Sequence, residues 1–272
     1  IIEPQDIHTL DPQRMSFIPD FRTGYALYEG LVRWDIHSDD CHVVPAAARS
    51  WSISPDQTVY TFEIDPAGRW SNGDPVTASD FAYAWQRALL PDTAADYTQL
   101  FFCIRGAEEF FQWRSDQLRR YSEQPPQERT EAAAQRLRDE LDARFRETVG
   151  IEVVDSQTLR ITLDRPTPYF LDLCAFGPFL PVHRETVEQW VDLDHTSGSI
   201  RQRHGWTKPG HHVGNGPYVL KTWRFKRDMR LEKSPTYRDP FLARSSSIQI
   251  LIIEDPNTAI LAFESGIADW HT

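Results

Sequence analysis

The stretch Thr58-Val-Tyr60-Thr-Phe62-Glu-Ile64, followed by Trp70-Ser-Asn-Gly73-Asp-Pro-Val-Thr77-Ala-Ser-Asp80-Phe81-Ala-Tyr-Ala-Trp85-Gln-Arg87, holds three structural signals in thirty residues. Tyr60, Phe62 and Ile64 alternate with Val59, Thr61 and Glu63, the period-two pattern of a half-buried strand. Ser71 to Pro75 is a turn in which Asn72-Gly73 supplies the left-handed position. Thr77 then opens a helix to Leu89. Asp80 stands three residues on, where a carboxylate meets the positive helix end, and Phe81, Ala84, Trp85 and Ala88 form one apolar face.

Outward from this segment the same signals recur. Gly24 to Leu31 has helical apolar spacing, and Pro45 to Trp51 reads as a short Ala-rich helical turn. Arg129 to Thr148 is a charged surface helix preceded by a loop at Ser122 to Gln127. Ile151–Val154 with Thr158–Leu163, and Tyr218–Trp223 with Met229–Lys233, read as hairpins. Ile248 to Ile253 is a continuous apolar run, expected to be a strand buried on both faces. Asp255-Pro256 starts a helix through Phe263 that Gly266 ends. Ile267 to Trp270 is expected to open a further strand, giving a strand–helix–strand unit that looks cut from a larger parallel architecture.

Composition narrows the function classes. The chain has 272 residues, 40% hydrophobic and 25% charged, enough for one large domain or two smaller ones. A net charge of −11 disfavours nucleic acid, since a phosphate backbone would be repelled. Nine Trp, nine Tyr and fifteen Phe suit both a core and a cleft for an extended organic ligand. Cys41, Cys103 and Cys174 are widely spaced without a CxxC pair, so neither a zinc site nor a redox motif is expected, and no disulfide. No run approaches the ~20 apolar residues that span a bilayer. Ile1-Ile2-Glu3-Pro4 does not read as a signal peptide.

No nucleophile motif, Walker A loop or GxGxxG fingerprint occurs, so no enzymatic activity is expected. His211-His212 and Cys41-His42 are poor chelates, because adjacent strand residues point to opposite faces; they read as solvated loop residues. Glu108-Glu109 and Asp39-Asp40 read as surface charge. Trp51, Trp70 and Trp85 read as core residues more than as a stacking platform.

The run from Tyr60 to Arg87 resembles the solute-binding proteins of oligopeptide and dipeptide ABC importers, extracellular solute-binding family 5. Further matches follow in order: Leu10-Asp11-Pro12, Tyr28-Glu29-Gly30-Leu31, Ala48 to Trp51, Pro168-Tyr169-Phe170, Gly214-Asn215-Gly216-Pro217-Tyr218, and Ala262-Phe263-Glu264-Ser265-Gly266 with Asp269. The resemblance implies an α/β, type II periplasmic-binding-protein-like fold. A first lobe with a mixed sheet, incomplete here, would take residues 1–30 and 183–272. An inserted, family-specific α+β domain would take 31–182, and the third, closing lobe would be absent.

It also implies capture of an extended peptide between lobes and its delivery to membrane permease subunits. Such a protein would be a periplasmic or otherwise extracytoplasmic monomer, meeting the membrane only through the permease or a lipid tether. No cofactor and no metal are expected. Of the ligand contacts, Tyr97 matches a ligand-contacting tyrosine of the family. The loop Met15-Ser16-Phe17-Ile18 matches a segment that touches the ligand backbone, with Ser16 where the best-known member has glutamate. Two alternatives stand beside this reading. One is the ligand-sensing domain of a transcriptional regulator; the other is a binding protein for a non-peptide solute such as a nickel chelate or an oligosaccharide.

Overall fold

Two four-stranded sheets drawn from different parts of the chain organise the protein. The computed structural model describes residues 1–239 and 241–271. In chain order the elements begin with β1 (Ile2–Glu3), α1 (Ile18–Leu27), β2 (Val32–Trp34), β3 (Val43–Pro45), β4 (Ala48–Ile53), β5 (Val59–Ile64) and α2 (Ala78–Ala88). Next come α3 (Ala107–Ser122), α4 (Glu131–Thr148), β6 (Ile151–Val153), β7 (Thr158–Thr162), α5 (Phe170–Ala175) and α6 (Arg184–Glu188). The last are β8 (Val191–Asp194), β9 (Ser199–Gln202), β10 (Tyr218–Arg224), β11 (Asp228–Lys233), β12 (Ser247–Ile252) and α7 (Pro256–Glu264).

One sheet has the order β4-β5-β7-β6 and is antiparallel throughout. Tyr60, Phe62 and Ile64 of β5 are buried, and Phe81, Ala84, Trp85 and Ala88 of α2 are fully so. Helix α2 starts as its sequence requires, with the Thr77 backbone N–H donating to the Asp80 carboxylate at 2.8 Å. Trp70 and Trp85 are both core residues, their indole N–H groups satisfied by the Asp80 carboxylate and the Phe179 carbonyl. The second sheet, β1-β12-β11-β10, is mixed: β1 runs parallel to β12 and the other pairs are antiparallel.

Loop 214–217 joins the first segment of the chain to the second sheet. A Cβ on Gly216 would lie 2.5 Å from backbone atoms of Leu27 and Tyr28, and one on Gly214 would lie 2.2 Å from the Leu27 carbonyl. Only glycine permits this approach. Between them, the Asn215 side chain accepts from the Glu29 N–H and donates to the Glu29 C=O, both at 2.9 Å.

Several expectations are corrected. Residues 45–51 form no helical turn; they enter β4, whose ladder with β5 overrides the helix preference of alanine. The helix expected at 24–31 lies earlier, at 18–27, and ends where Tyr28 turns extended (φ −130°, ψ 156°). The long helix α3 went unforeseen, because its buried stripe is thin: Ala107, Phe110, Arg114 and Tyr121. Strand β12 is not covered on both faces, since only Ile250 in it is buried. Ile267 to Trp270 is not a strand. After Gly266 turns the chain (φ +75°), it meets β1 through Ile2 N–H to Trp270 C=O (2.9 Å), a parallel bridge between Ile2 and His271, and the packing of Ala268 with Ile2.

Candidate functional site

Asp20 in the first turn of α1 anchors the loops that precede the helix. Its carboxylate is fully buried and accepts the His8 N–H at 2.8 Å; burial raises its pKa against the pull of these backbone donors. Met15 is fully buried and sits against Gly24, where a Cβ would come 2.8 Å from its sulfur. With both ends of the loop pinned, the side chains between them turn outward. Ser16 is partly exposed, Phe17 is 47% exposed and Ile18 is 71% exposed. Exposed apolar groups on an anchored loop offer contact area to a partner. The ring of Phe17 stacks on His8, with centroids 4.3 Å apart.

Tyr97 arrives from a separate loop that is equally well anchored. Asp92 is locked to the buried Arg114, Ala94 takes a left-handed conformation (φ +50°), and the Thr98 hydroxyl donates to the Ala88 carbonyl at 2.9 Å. Tyr97 packs edge-on against Phe176 at 5.2 Å and lies 6.0 Å from Phe21. Phe21 fits because residue 177 is glycine: a Cβ there would sit 2.3 Å from its ring. The two loops meet where the Ser16 hydroxyl donates to the Asp96 carboxylate across 80 residues of sequence.

The Ser16–Asp96 hydrogen bond thus brings the loop of Ser16, Phe17 and Ile18 to the loop that carries Tyr97, forming one candidate site. Sequence reasoning missed the residues that assemble it: His8, Phe21, Asp96 and Phe176. None carries a local pattern, because their proximity comes from folding. Elsewhere on α1, Arg22 pairs with Glu3 and lies 4.5 Å above the Trp270 ring. Ile260, Leu261, Phe263 and Ile267, on and just after α7, are also exposed.

A metal reading is not supported by the donors. Among the described residues one group, Asp74, His183 and Glu185, brings its donor atoms within 4.8 Å of one another. His183 Nδ1 accepts the Thr186 N–H at 3.2 Å, capping α6, which leaves Nε2–H to donate to Asp74 at 3.0 Å. Both ring nitrogens are occupied, so no lone pair faces an ion. His42 pairs with Asp40 at the surface. His212 corrects the expectation of a solvated histidine: it packs on Tyr28, its Nε2 is 2.9 Å from the tyrosine hydroxyl, and burial pushes its pKa down to about 4. An open groove of about 760 Å³ lies elsewhere, lined by Tyr83, Gln86, Arg105, Phe145 and Arg184, and none of the site residues borders it.

Comparison with known proteins adds a family. Residues 42–272 match the family described as bacterial extracellular solute-binding proteins, family 5 Middle. The chain is 29% identical over 266 residues to the periplasmic oligopeptide-binding protein OppA of Escherichia coli (strain K12), covering 97% of this chain and 41% of that protein. It is 30% identical over 243 residues to the oligopeptide-binding protein OppA of Bacillus subtilis (strain 168), covering 89% and 37% respectively. The chain thus spans about two fifths of the length of these curated relatives. Among solved structures, Burkholderia pseudomallei OppA matches with a TM-score of 0.76 at 28% identity, over 98% of this chain and 44% of that one. Haemophilus influenzae OppA in complex with RPPGFSPFR matches with a TM-score of 0.76 at 27% identity, over 98% and 44%. The α/β periplasmic-binding fold expected from the sequence is the fold of these neighbours.

Proposed function

The chain belongs to the bacterial extracellular solute-binding proteins of family 5, and from that premise we propose that it captures oligopeptides or dipeptides outside the cytoplasm for delivery to the permease of an ABC importer. The observation that carries this reading is the joining of the 15–18 and 94–97 loops through Ser16 and Asp96, with Phe17 and Ile18 exposed beside them. Ser16, Phe17, Ile18 and Tyr97 are the proposed ligand contacts. Relatives that match nearly the whole chain are named for oligopeptide binding, and one neighbour was solved with a bound peptide.

In this reading residues 1–30 and 183–272 form one lobe, and residues 31–182 an inserted domain. The ligand is held and released unchanged, so no nucleophile or acid–base pair is required. A peptide laid across the face would gain from main-chain hydrogen bonds and from pockets for alternate side chains. Exposed aromatic and aliphatic side chains supply contact area that tolerates varied sequences.

Titration calorimetry on the full natural chain carrying these residues, with a pool of di- to pentapeptides, tests the proposal. Micromolar or tighter binding is expected. Failure of every peptide, with a nickel chelate or an oligosaccharide binding instead, would overturn it.

A further inference from the structure

Asp96 is an exposed carboxylate at the junction of the two loops. Among the described residues its hydrogen bond comes from a neutral hydroxyl, Ser16. Among the described residues no Lys, Arg or His nitrogen lies within 4.0 Å of it. Arg22, on the same helix as Phe21, is engaged by Glu3 and the Trp270 ring, and His8, stacked on Phe17, has its Nδ1 3.9 Å from the buried Asp20 carboxylate. Asp96 thus brings a full negative charge, uncompensated by a neighbour, to the seam between the Phe17 loop and the Tyr97 loop.

The surroundings restrict what could neutralise that charge. One carboxylate and one hydroxyl offer too few oxygens for calcium or magnesium, which take six or more. Each of the two loops carries an aromatic residue next to the junction, Phe17 stacked on His8 and Tyr97 set against Phe176 and Phe21. A carboxylate with aromatic neighbours in sequence on both loops suits an organic cation, which gains a charge-assisted hydrogen bond and can rest on a ring. Enclosure by a bound ligand would strengthen both, because water is then excluded.

We propose that Asp96 is a specificity-determining residue that selects peptides presenting an ammonium or guanidinium group at this seam. The inference rests on the peptide-binding reading above and deepens it, because that reading by itself does not prefer one side-chain charge over another. The Ser16 hydroxyl acts as a positioning group. It holds the carboxylate in place without spending its charge, which a lysine or arginine there would do.

The test is calorimetry on the full natural chain with Ala-Lys-Ala, Ala-norleucine-Ala and Ala-Glu-Ala, each with a free and an acetylated amino terminus. The lysine peptide is expected to bind about tenfold tighter than its norleucine counterpart. Asp96→Asn should remove most of that ratio, lowering the affinity of the lysine peptide about tenfold more than that of the norleucine peptide, and Asp96→Lys should shift preference toward the glutamate peptide. If the cation at the seam is the terminal ammonium, the tenfold loss appears on acetylation and is again erased by Asp96→Asn. Equal binding across the charge series and on acetylation, or a preference that survives Asp96→Asn, overturns the assignment of Asp96 alone. No binding by any peptide overturns both this assignment and the peptide-binding reading.

Discussion

Replacing Asp92 by alanine should be among the most damaging single changes outside the apolar core. Arg114 and Asp92 are almost completely buried, at 0% and 1% side-chain exposure. Their pairing is two-pronged, with Nε to Oδ2 at 2.9 Å and Nη2 to Oδ1 at 2.8 Å. Asp92 also accepts the Ile200 N–H at 2.7 Å, while Arg114 donates to the Gly198 carbonyl and to Gln117. The pair therefore ties α3 to the β8–β9 hairpin and to the turn that leads into Tyr97. Removing the carboxylate deletes three of these hydrogen bonds and leaves a guanidinium buried without a counter-charge, a loss of about 3–5 kcal/mol. Against a typical domain stability of about 5–15 kcal/mol, that is a large fraction.

Urea unfolding followed by circular dichroism measures it, as a fall in midpoint at constant slope. The double variant Asp92→Leu with Arg114→Met removes both charges and should recover most of the loss, since a buried ion pair is often replaceable by apolar groups of similar size. A single-variant cost below about 1 kcal/mol, or a double variant no better than Asp92→Ala, would refute the reasoning from burial.

Other outcomes follow from the same structure. Burial pushes the pKa of His212 from its ordinary 6.5 down to about 4, so the unfolded chain binds the extra proton between those values and the stability this contributes is lost as pH falls from about 6.5 toward about 4. The stability gap between wild type and His212→Gln should narrow by roughly 2 kcal/mol from pH 7 to pH 5, measured by urea titration at each pH. Burial raises the carboxyls of Glu29 and Asp80, which act in the opposite sense, so the comparison with the variant is needed to isolate the imidazole. Gly216→Ala places a Cβ against backbone that cannot yield and should cost ~3 kcal/mol or more, whereas Gly73→Ala meets no atom within 4 Å and should cost only the ~1–2 kcal/mol of its left-handed conformation (φ +96°). Equal thermal shifts for the two would contradict this. Tyr97→Phe should leave peptide affinity within about twofold, and Tyr97→Ala should weaken it by about tenfold, because edge-on packing against Phe176 needs the ring and not the hydroxyl.

The chain's local chemistry was legible where a pattern repeats at short range. The alternation in β5, the Asn72-Gly73 turn, the Thr77–Asp80 cap and the Asp255-Pro256 start of α7 each depend on residues a few positions apart, and each is present in the fold. Ser16, Phe17, Ile18 and Tyr97 could be singled out only through the family resemblance. Their partners could not be read at all: Asp96, Phe21, Phe176 and His8 meet them across tens of residues, through loops pinned by Asp20, Met15 and Asp92. The same limit misplaced Pro45 to Trp51, where a ladder with a distant strand outweighs alanine's small helix preference, and His212, whose burial depends on Tyr28. Periodicity and caps are encoded within one turn or one pleat, so the sequence alone determined those elements that carry such a signal, and α3, with its thin buried stripe, escaped it. Which loops meet and which rings stay exposed depend on what packs nearby from elsewhere in the chain, so tertiary structure alone brought the candidate residues together.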